Sequence, residues 1–184
     1  MRLFVAIDLP AEVVANLEGL VARLRATARI NWSRPANLHL TTKFIGEWPQ
    51  SRLAEMKAAL GELTGRQPIP IEVRGLGFFP NPQAPRVFWA GVHAPPGLAE
   101  LAGDTDRALE RLGAPSERRP YSPHLTLARI KEPVPLNALR QAIASLEPVQ
   151  FGAFTADRFF LYQSTLEPSG AVYTRLSEFP FPRA

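Results

Sequence analysis

The triplet His-Leu-Thr occurs twice, at His39-Leu40-Thr41 and at His124-Leu125-Thr126, and the two copies stand 85 residues apart. Around each copy apolar residues alternate with polar ones, so each reads as a strand, in which residues i and i+2 share a face. His39 and Thr41 therefore point one way and Leu38 and Leu40 the other. His124 and Thr126 share a face in the same manner, with Leu125 and Leu127 opposite. One imidazole beside one hydroxyl, twice over, is a small kit for handling a phosphate.

The elements around the triplets recur in the same order. Leu3 to Ile7 reads as a strand, and Val13, Leu17, Leu20, Val21 and Leu24 give helical spacing from Ala11 to about Thr27. A loop with Trp32 and Pro35 leads to the first motif strand, which ends near Gly46. Pro49 and Ser51 open a second helix with Leu53, Met56, Leu60 and Leu63 on one face, and Ile69 to Phe79 is extended. The run Pro80-Asn81-Pro82-Gln83-Ala84-Pro85 is a turn, since prolines at that density permit neither helix nor inner strand. The second half then gives a strand at Val87 to Val92, a helix from Leu98 to Leu112, and the second motif strand. After these come a helix carrying Leu136, Leu139, Ile143 and Leu146, one extended run from Phe151 to Tyr162, and a last strand at Ala171 to Phe179.

Strand, helix, motif strand, helix, strand, read twice, is an internal duplication, too long in period for a solenoid. The 85-residue spacing also carries Phe4 onto Trp89. The fold expected is α+β: two similar lobes related by a pseudo-twofold axis, mostly antiparallel sheets flanked by helices, with a central groove carrying the two His-x-Thr strands. Residues 1–184 form one bilobal domain in this reading, with repeats at about 1–85 and 86–184.

Composition narrows the chemistry. The absence of cysteine removes disulfides, thiolate nucleophiles and cysteine zinc sites together. Only three histidines are present, and no carboxylate stands at ligand-like spacing from either motif, so no metal is expected. The net charge of +4 comes almost wholly from arginine, with lysine only at Lys43, Lys57 and Lys131. Arginine pairs with phosphate oxygens in bidentate fashion, so the balance permits an anionic partner without requiring one. No apolar run is long enough to span a bilayer. The start, Met1 to Asp8, reads as a strand rather than a signal peptide, so no membrane role and a cytoplasmic location are expected.

A lone histidine on a strand is usually structural, as His93 illustrates: it lacks a threonine two places on and carries no assigned role. The pair is another matter. In-line displacement at phosphorus needs a base on the entering side and an acid on the leaving side. Imidazole, with an ordinary pKa of about 6.5, can begin as base at one site and acid at the other. The hydroxyls of Thr41 and Thr126 can donate to non-bridging oxygens as charge builds there. A substrate already activated by ring strain, such as a cyclic phosphate, suits so light an apparatus.

The stretches Trp32 to Glu47 and Pro120 to Arg129 resemble the two signatures of the LigT-like two-histidine (2H) phosphoesterases, and within them the RNA 2′,3′-cyclic phosphodiesterases, also known as 2′-5′ RNA ligases. The resemblance extends over the whole chain, including Leu3 to Ile7 and Leu161-Tyr162-Gln163-Ser164. It implies that His39 is the proton donor to the leaving 3′ oxygen and His124 the proton acceptor that activates water, giving a 2′-phosphate end. It further implies phosphate binding by Thr41, Thr126 and Arg129, no cofactor, and a reversible, ATP-independent 2′-5′ ligation. The partner implied is RNA with 2′,3′-cyclic phosphate ends, tRNA fragments among them. Thr42 departs from the family's usual leucine and by alternation points away from the groove. Strict alternation also puts Arg129 on the face of Leu125 and Leu127, so a twist or bulge is required to bring its head to a phosphate.

Phe44, Phe78, Phe79 and Tyr162 are candidates for stacking a base, Tyr162 first among them, although strand aromatics are mostly core. Arg34, Lys43, Arg86, Arg118 and Arg119 are candidates for backbone contacts. Gly75-Leu76-Gly77 has no helix after it and is no dinucleotide site, and no P-loop is present. The competing readings are a related hydrolase of small cyclic nucleotides or ADP-ribose cyclic phosphate, and a non-catalytic RNA-binding module. Binding alone would need neither imidazole. A groove between two lobes of one chain needs no second subunit, so a monomer is expected.

Overall fold

The computed structural model describes residues 1–146 and 149–183. Ala184, the end of the second expected repeat, lies outside the described residues. Strand β1 (Arg2–Ile7) runs through Pro10 into helix α1 (Ala11–Leu24), which buries Val13, Leu17, Leu20, Val21 and Leu24 as its spacing requires. A two-residue strand β2 (Asn31–Trp32) precedes β3 (Leu40–Glu47), α2 (Leu53–Gly61) and β4 (Ile69–Phe79). The second half supplies β5 (Val87–His93), α3 (Pro96–Glu110), β6 (His124–Arg129), α4 (Asn137–Ala144) and β7 (Gln150–Ala156). Gly113, at φ 92°, adopts the left-handed conformation that turns the chain after α3. A hairpin of β8 (Arg158–Glu167) and β9 (Gly170–Pro180) ends the chain.

The strands form two antiparallel sheets, one in the order β3-β1-β8-β9 and one in the order β2-β6-β5-β4-β7. This is the expected α+β, two-lobed architecture, but the lobes do not divide the chain at residue 85. Strand β4 of the first half lies beside β5, and β8 of the second half lies beside β1. The single extended run expected from Phe151 to Tyr162 is in fact two strands in different sheets, parted at Asp157. Alternation continues across that junction, and it carries no information about which sheet a strand joins. Strand β2 escapes the pattern because two residues have no period. Helix α1 packs on β7 and α3 on β3, and one core cluster joins both sheets through Leu3, Val5, Ile7, Phe88, Ala90 and Leu125 among others.

The register of each motif strand repeats to the residue. In the first sheet Leu40 pairs with Ile7, Thr41 with Ala6, Lys43 with Val5 and Phe44 with Phe4. In the second, Leu125 pairs with Ala90, Thr126 with Trp89, Ala128 with Phe88 and Arg129 with Val87. Both ladders skip one residue at the same place, Thr42 in one and Leu127 in the other, so each motif strand carries a bulge after its threonine. The ladders match Phe4 with Val87, two residues short of the Trp89 that the 85-residue spacing indicates.

Residues directly opposite each other share a face. Leu3, Val5 and Ile7 belong to the large core, whereas Phe4 and Ala6 pack with Phe160 and Tyr162 on the other face. The bulge at Thr42 therefore moves Lys43 to the core face, opposite Val5, and returns Phe44 to the face of Thr41. Lys43 is buried there, its ammonium donating to Asp106 Oδ1 on α3 at 2.5 Å and to the Pro115 carbonyl at 2.6 Å. Burial raises the Asp106 carboxyl, but Lys43 and the Glu117 and Ser116 donors outweigh it and hold it below its ordinary range. Thr42 is buried as well, its hydroxyl donating to the Val5 carbonyl at 3.3 Å.

The groove faces are filled differently in the two lobes. In the first, small Ala6 pairs with large Phe160; in the second, large Trp89 pairs with Gly77. A Cβ on Gly77 would stand 2.1 Å from Trp89 Cζ2, so the indole lies across bare backbone. Gly77→Ala should lower stability by about 1–3 kcal/mol through overpacking. Combining it with Trp89→Val should cost less than the sum of the two single changes in denaturant unfolding, because the added methyl then has room.

Candidate active site

His39 sits one residue before β3 and His124 at the first residue of β6. Each ring is fixed by a bond from its own loop: His39 Nδ1 meets the Asn37 carbonyl at 2.9 Å, and His124 Nδ1 meets the Ser122 carbonyl at 2.8 Å. A carbonyl only accepts, so each Nδ1 carries a proton and each Nε2 is left to take or give one. That is the tautomer an acid–base pair needs at both positions. Because the contact reaches back two residues in both copies, the loop entering each strand aims its imidazole.

The loops also reach across to each other's strand. Ser33, upstream of His39, donates from Oγ to the Thr126 carbonyl at 2.8 Å, and its N–H donates to the Leu127 carbonyl at 2.8 Å. Tyr121, upstream of His124, donates from its hydroxyl to the Thr41 carbonyl at 3.0 Å. The main chain of each motif threonine is thus held by the loop that carries the opposite histidine. Burial pushes the Tyr121 phenol well above its ordinary range, so the donor proton stays on it. Strand β2 adds to the clasp by pairing Asn31 with Arg129 and Trp32 with Ala128.

The two rings have unlike surroundings. His39 has a side chain only 15% exposed, with Tyr162 at 4.5 Å, Tyr173 at 5.7 Å and Phe4 at 6.2 Å between ring centroids. Asp8 Oδ1 lies 3.7 Å from its Nε2, too far for a hydrogen bond. Burial draws the His39 pKa below its ordinary value, and the Asp8 carboxylate opposes that shift, with a smaller upward push from the Asn37 carbonyl and a downward one from Arg175. His124 is half-buried, with Phe79 edge-on at 5.1 Å.

Placement of the remaining candidates follows from the bulges. Thr41 and Thr126 lie on the groove faces, opposite Ala6 and Trp89. The skipped Leu127 sends Ala128 into the core and puts Arg129, opposite Val87, on the face of Thr126, which strict alternation denied it. Phe44 occupies the matching position in the first lobe and is 67% exposed. Two expectations need correction. Lys43 is no backbone contact, since the bulge buries it against Asp106. Tyr162 is no stacking platform for a base: it is 4% exposed, stacked on Phe4 at 5.2 Å, with its hydroxyl donating to Asp8 Oδ1 at 2.5 Å. Of the other aromatics, Phe78 packs on Phe88 in the core, while Phe79 contacts Trp89 and His124. Arg34, Arg86, Arg118 and Arg119 are exposed, and Arg86 already donates to the Lys131 carbonyl at 3.1 Å.

Asp8, Tyr173 and Arg175 were not singled out from the sequence, although all three surround His39. Asp8 had read only as the polar end of β1, and β9 only as a last strand. The closeness of that strand to β1 is a matter of topology, with β8 between them.

Two lobes of matching register, each offering a His-x-Thr to a shared junction, define a protein of the two-histidine class. The family described as LigT like Phosphoesterase matches the chain in two successive stretches, residues 7–89 and 92–173, and the chain belongs to that family. It is 33% identical over 181 residues to a protein of Methanothermobacter thermautotrophicus named RNA 2′,3′-cyclic phosphodiesterase, covering 97% of this chain and 98% of that one. A crystal structure from Thermus thermophilus matches it with a TM-score of 0.82 at 35% identity, covering 98% of each chain. Escherichia coli LigT complexed with 3′-AMP matches with a TM-score of 0.76 at 27% identity, covering 99% of this chain and 98% of that one.

If the clasp couples the motifs, Ser33→Ala and Tyr121→Phe should each lower unfolding free energy by about 0.5–1.5 kcal/mol. The double variant should depart from additivity in a denaturant cycle, because both bonds hold one junction.

Proposed function

We propose that the chain hydrolyses 2′,3′-cyclic phosphate ends of RNA to 2′-phosphate ends by metal-independent acid–base catalysis. The observation that carries this reading is the pair of imidazoles with Nδ1 spent on a backbone carbonyl and Nε2 left over. His124 Nε2 removes a proton from water as the water attacks phosphorus. The bond from phosphorus to the 3′ oxygen breaks, and His39 Nε2 delivers its proton to that oxygen. Thr41 and Thr126 hydroxyls, with Arg129, hold the non-bridging oxygens as charge accumulates. Solvent then restores one neutral and one protonated ring.

The same displacement with an RNA hydroxyl attacking in place of water, and the 3′ oxygen again leaving, is 2′-5′ ligation and draws on the same groups and no cofactor. The exposed ring of Phe44 is the candidate for stacking the terminal base, and Arg34 for a backbone contact. A nucleotide in this groove is supported by the 3′-AMP complex of the Escherichia coli relative. Among the described residues no helix is long and apolar enough to cross a membrane. The proposal further takes the chain to act as a cytoplasmic monomer on RNA, tRNA fragments included.

His39→Ala and His124→Ala should each cut hydrolysis of a 2′,3′-cyclic-ended RNA by about 10²–10⁴-fold or more while far-UV circular dichroism stays unchanged. The product should carry its phosphate on the 2′ oxygen, as resistance to a 3′-specific phosphatase would reveal. Activity should survive EDTA and follow a bell-shaped pH profile, one limb for each ring. Loss of turnover on chelation, restored by a divalent ion, would overturn the proposal.

A further inference from the structure

The two motifs share register, bulge and Nδ1 contact, yet the proposed reaction needs them unequal: one ring must start protonated and the other neutral. The surroundings of the two rings, outside the His-x-Thr strands, are where they differ. Asp8, just beyond the end of β1, faces His39. By the register of the two sheets its counterpart in the second lobe is Gly91, which has no side chain. Among the described residues no carboxylate pairs with His124, whose aromatic neighbour is Phe79 where His39 has Tyr162.

Asp8 is held on both oxygens. Oδ1 accepts from the Tyr162 hydroxyl at 2.5 Å, and Oδ2 accepts from the Arg175 guanidinium. Arg175 is itself seated over the Phe160 ring at 4.1 Å. So clamped, the carboxylate cannot turn to bond the imidazole; it stays 3.7 Å from Nε2, close enough to act as a charge and too far to occupy the nitrogen. Burial pushes the Tyr162 phenol up to about 12, so it remains a donor to Asp8 throughout the neutral range.

We infer that Asp8 is a positioning residue for the proposed acid His39: its carboxylate, gripped by Tyr162 and Arg175, opposes the loss of the ring's proton that burial favours, without competing for the Nε2 that must deliver it. The inference deepens the proposed function and rests on it for the identity of the acid. The side chains around the His39 ring are Asp8 and Phe4 from β1 and its end, Tyr162 from β8, and Tyr173 and Arg175 from β9. Only Asp8 and Arg175 carry charge, and their effects on the ring have opposite sign. Burial lowers the ring's hold on its proton and sets the net direction, and the carboxylate is the main opposing influence.

That opposition supplies the test. Asp8→Asn and Arg175→Met are compared with the parent by NMR titration of both histidine rings and by the pH profile of kcat/KM on a 2′,3′-cyclic-ended RNA. In Asp8→Asn the His39 titration should move down by about one pH unit, and the limb of the pH profile that it sets should move with it. In Arg175→Met both should move up by a smaller amount, and the His124 titration should stay in place in both variants. A purely structural clamp would lower the rate in both variants without moving the limb. An unmoved His39 titration, or movement of the two variants in the same direction, would overturn the inference. Should the parent protein leave the RNA uncleaved, the proposed function falls by itself, while the NMR titration still decides the coupling between Asp8 and His39.

Discussion

The bulge after each motif threonine governs which face the residues that follow it take. A regular strand continuing from His39 and Thr41 would keep Lys43 on the groove face and turn Phe44 to the core. The bulge at Thr42 reverses both, and the result is measurable in burial: Phe44 is 67% exposed and Lys43 6%. Exposing a large ring while burying an ammonium is the wrong way round for hydrophobic burial. It persists because the ammonium finds Asp106 and the Pro115 carbonyl beneath α3, which satisfies it in place. Matched removal of both charges would cost less than removal of one, since a single deletion strands the other under the helix. In the second lobe the same bulge meets no such difficulty. There the residue turned inward is Ala128, and the residue turned outward is Arg129.

The lobes agree in backbone and disagree in side chains, and the disagreements are paired. Ala6 beside Phe160 in one sheet becomes Trp89 beside Gly77 in the other, so each of these pairs has one large ring, contributed from non-equivalent strands. The ring next to the histidine is a phenol in the first lobe and a benzyl group in the second. That exchange decides whether a carboxylate can be held nearby, since only the phenol can donate to one. Symmetry of the main chain brings two imidazoles to equivalent places, and asymmetry of the surrounding side chains sets Asp8 beside His39 where the second lobe has Gly91.

Much of this was legible in the sequence, because the signals were periodic. The five buried residues of α1, the span of β4 and the two motif strands follow from spacing alone. The duplicated element order gave the architecture, and the lack of cysteine removed whole classes of chemistry. What escaped depended on pairing between distant segments. That β4 crosses to the second sheet and β8 to the first is invisible to alternation, and so is the division at Asp157. Arg129 shows the boundary between the two cases. The family resemblance implied a phosphate contact for it while its parity argued against one, and the bulge removes the objection from parity. Lys43 has the same parity problem with the opposite outcome, and no property of the residue itself announces that it is buried.

The exchanged strands have a consequence for how the site can form. The aromatic and charged side chains beside the His39 ring come from the first eight residues and from the last hairpin: Phe4 and Asp8 on one side, Tyr162, Tyr173 and Arg175 on the other. The Tyr162 bond to Asp8 closes a sequence separation of 154 residues, and the Arg175 bond one of 167. Contacts of such separation each carry the loop-closure entropy of nearly the whole chain. The clasp imposes a parallel condition at the centre, where each motif threonine is held by a loop from the other lobe. A single repeat, even correctly folded, would therefore present a His-x-Thr with neither its clasp nor its aromatic surround. The duplication yields a working pair because the halves are interlocked rather than merely placed side by side.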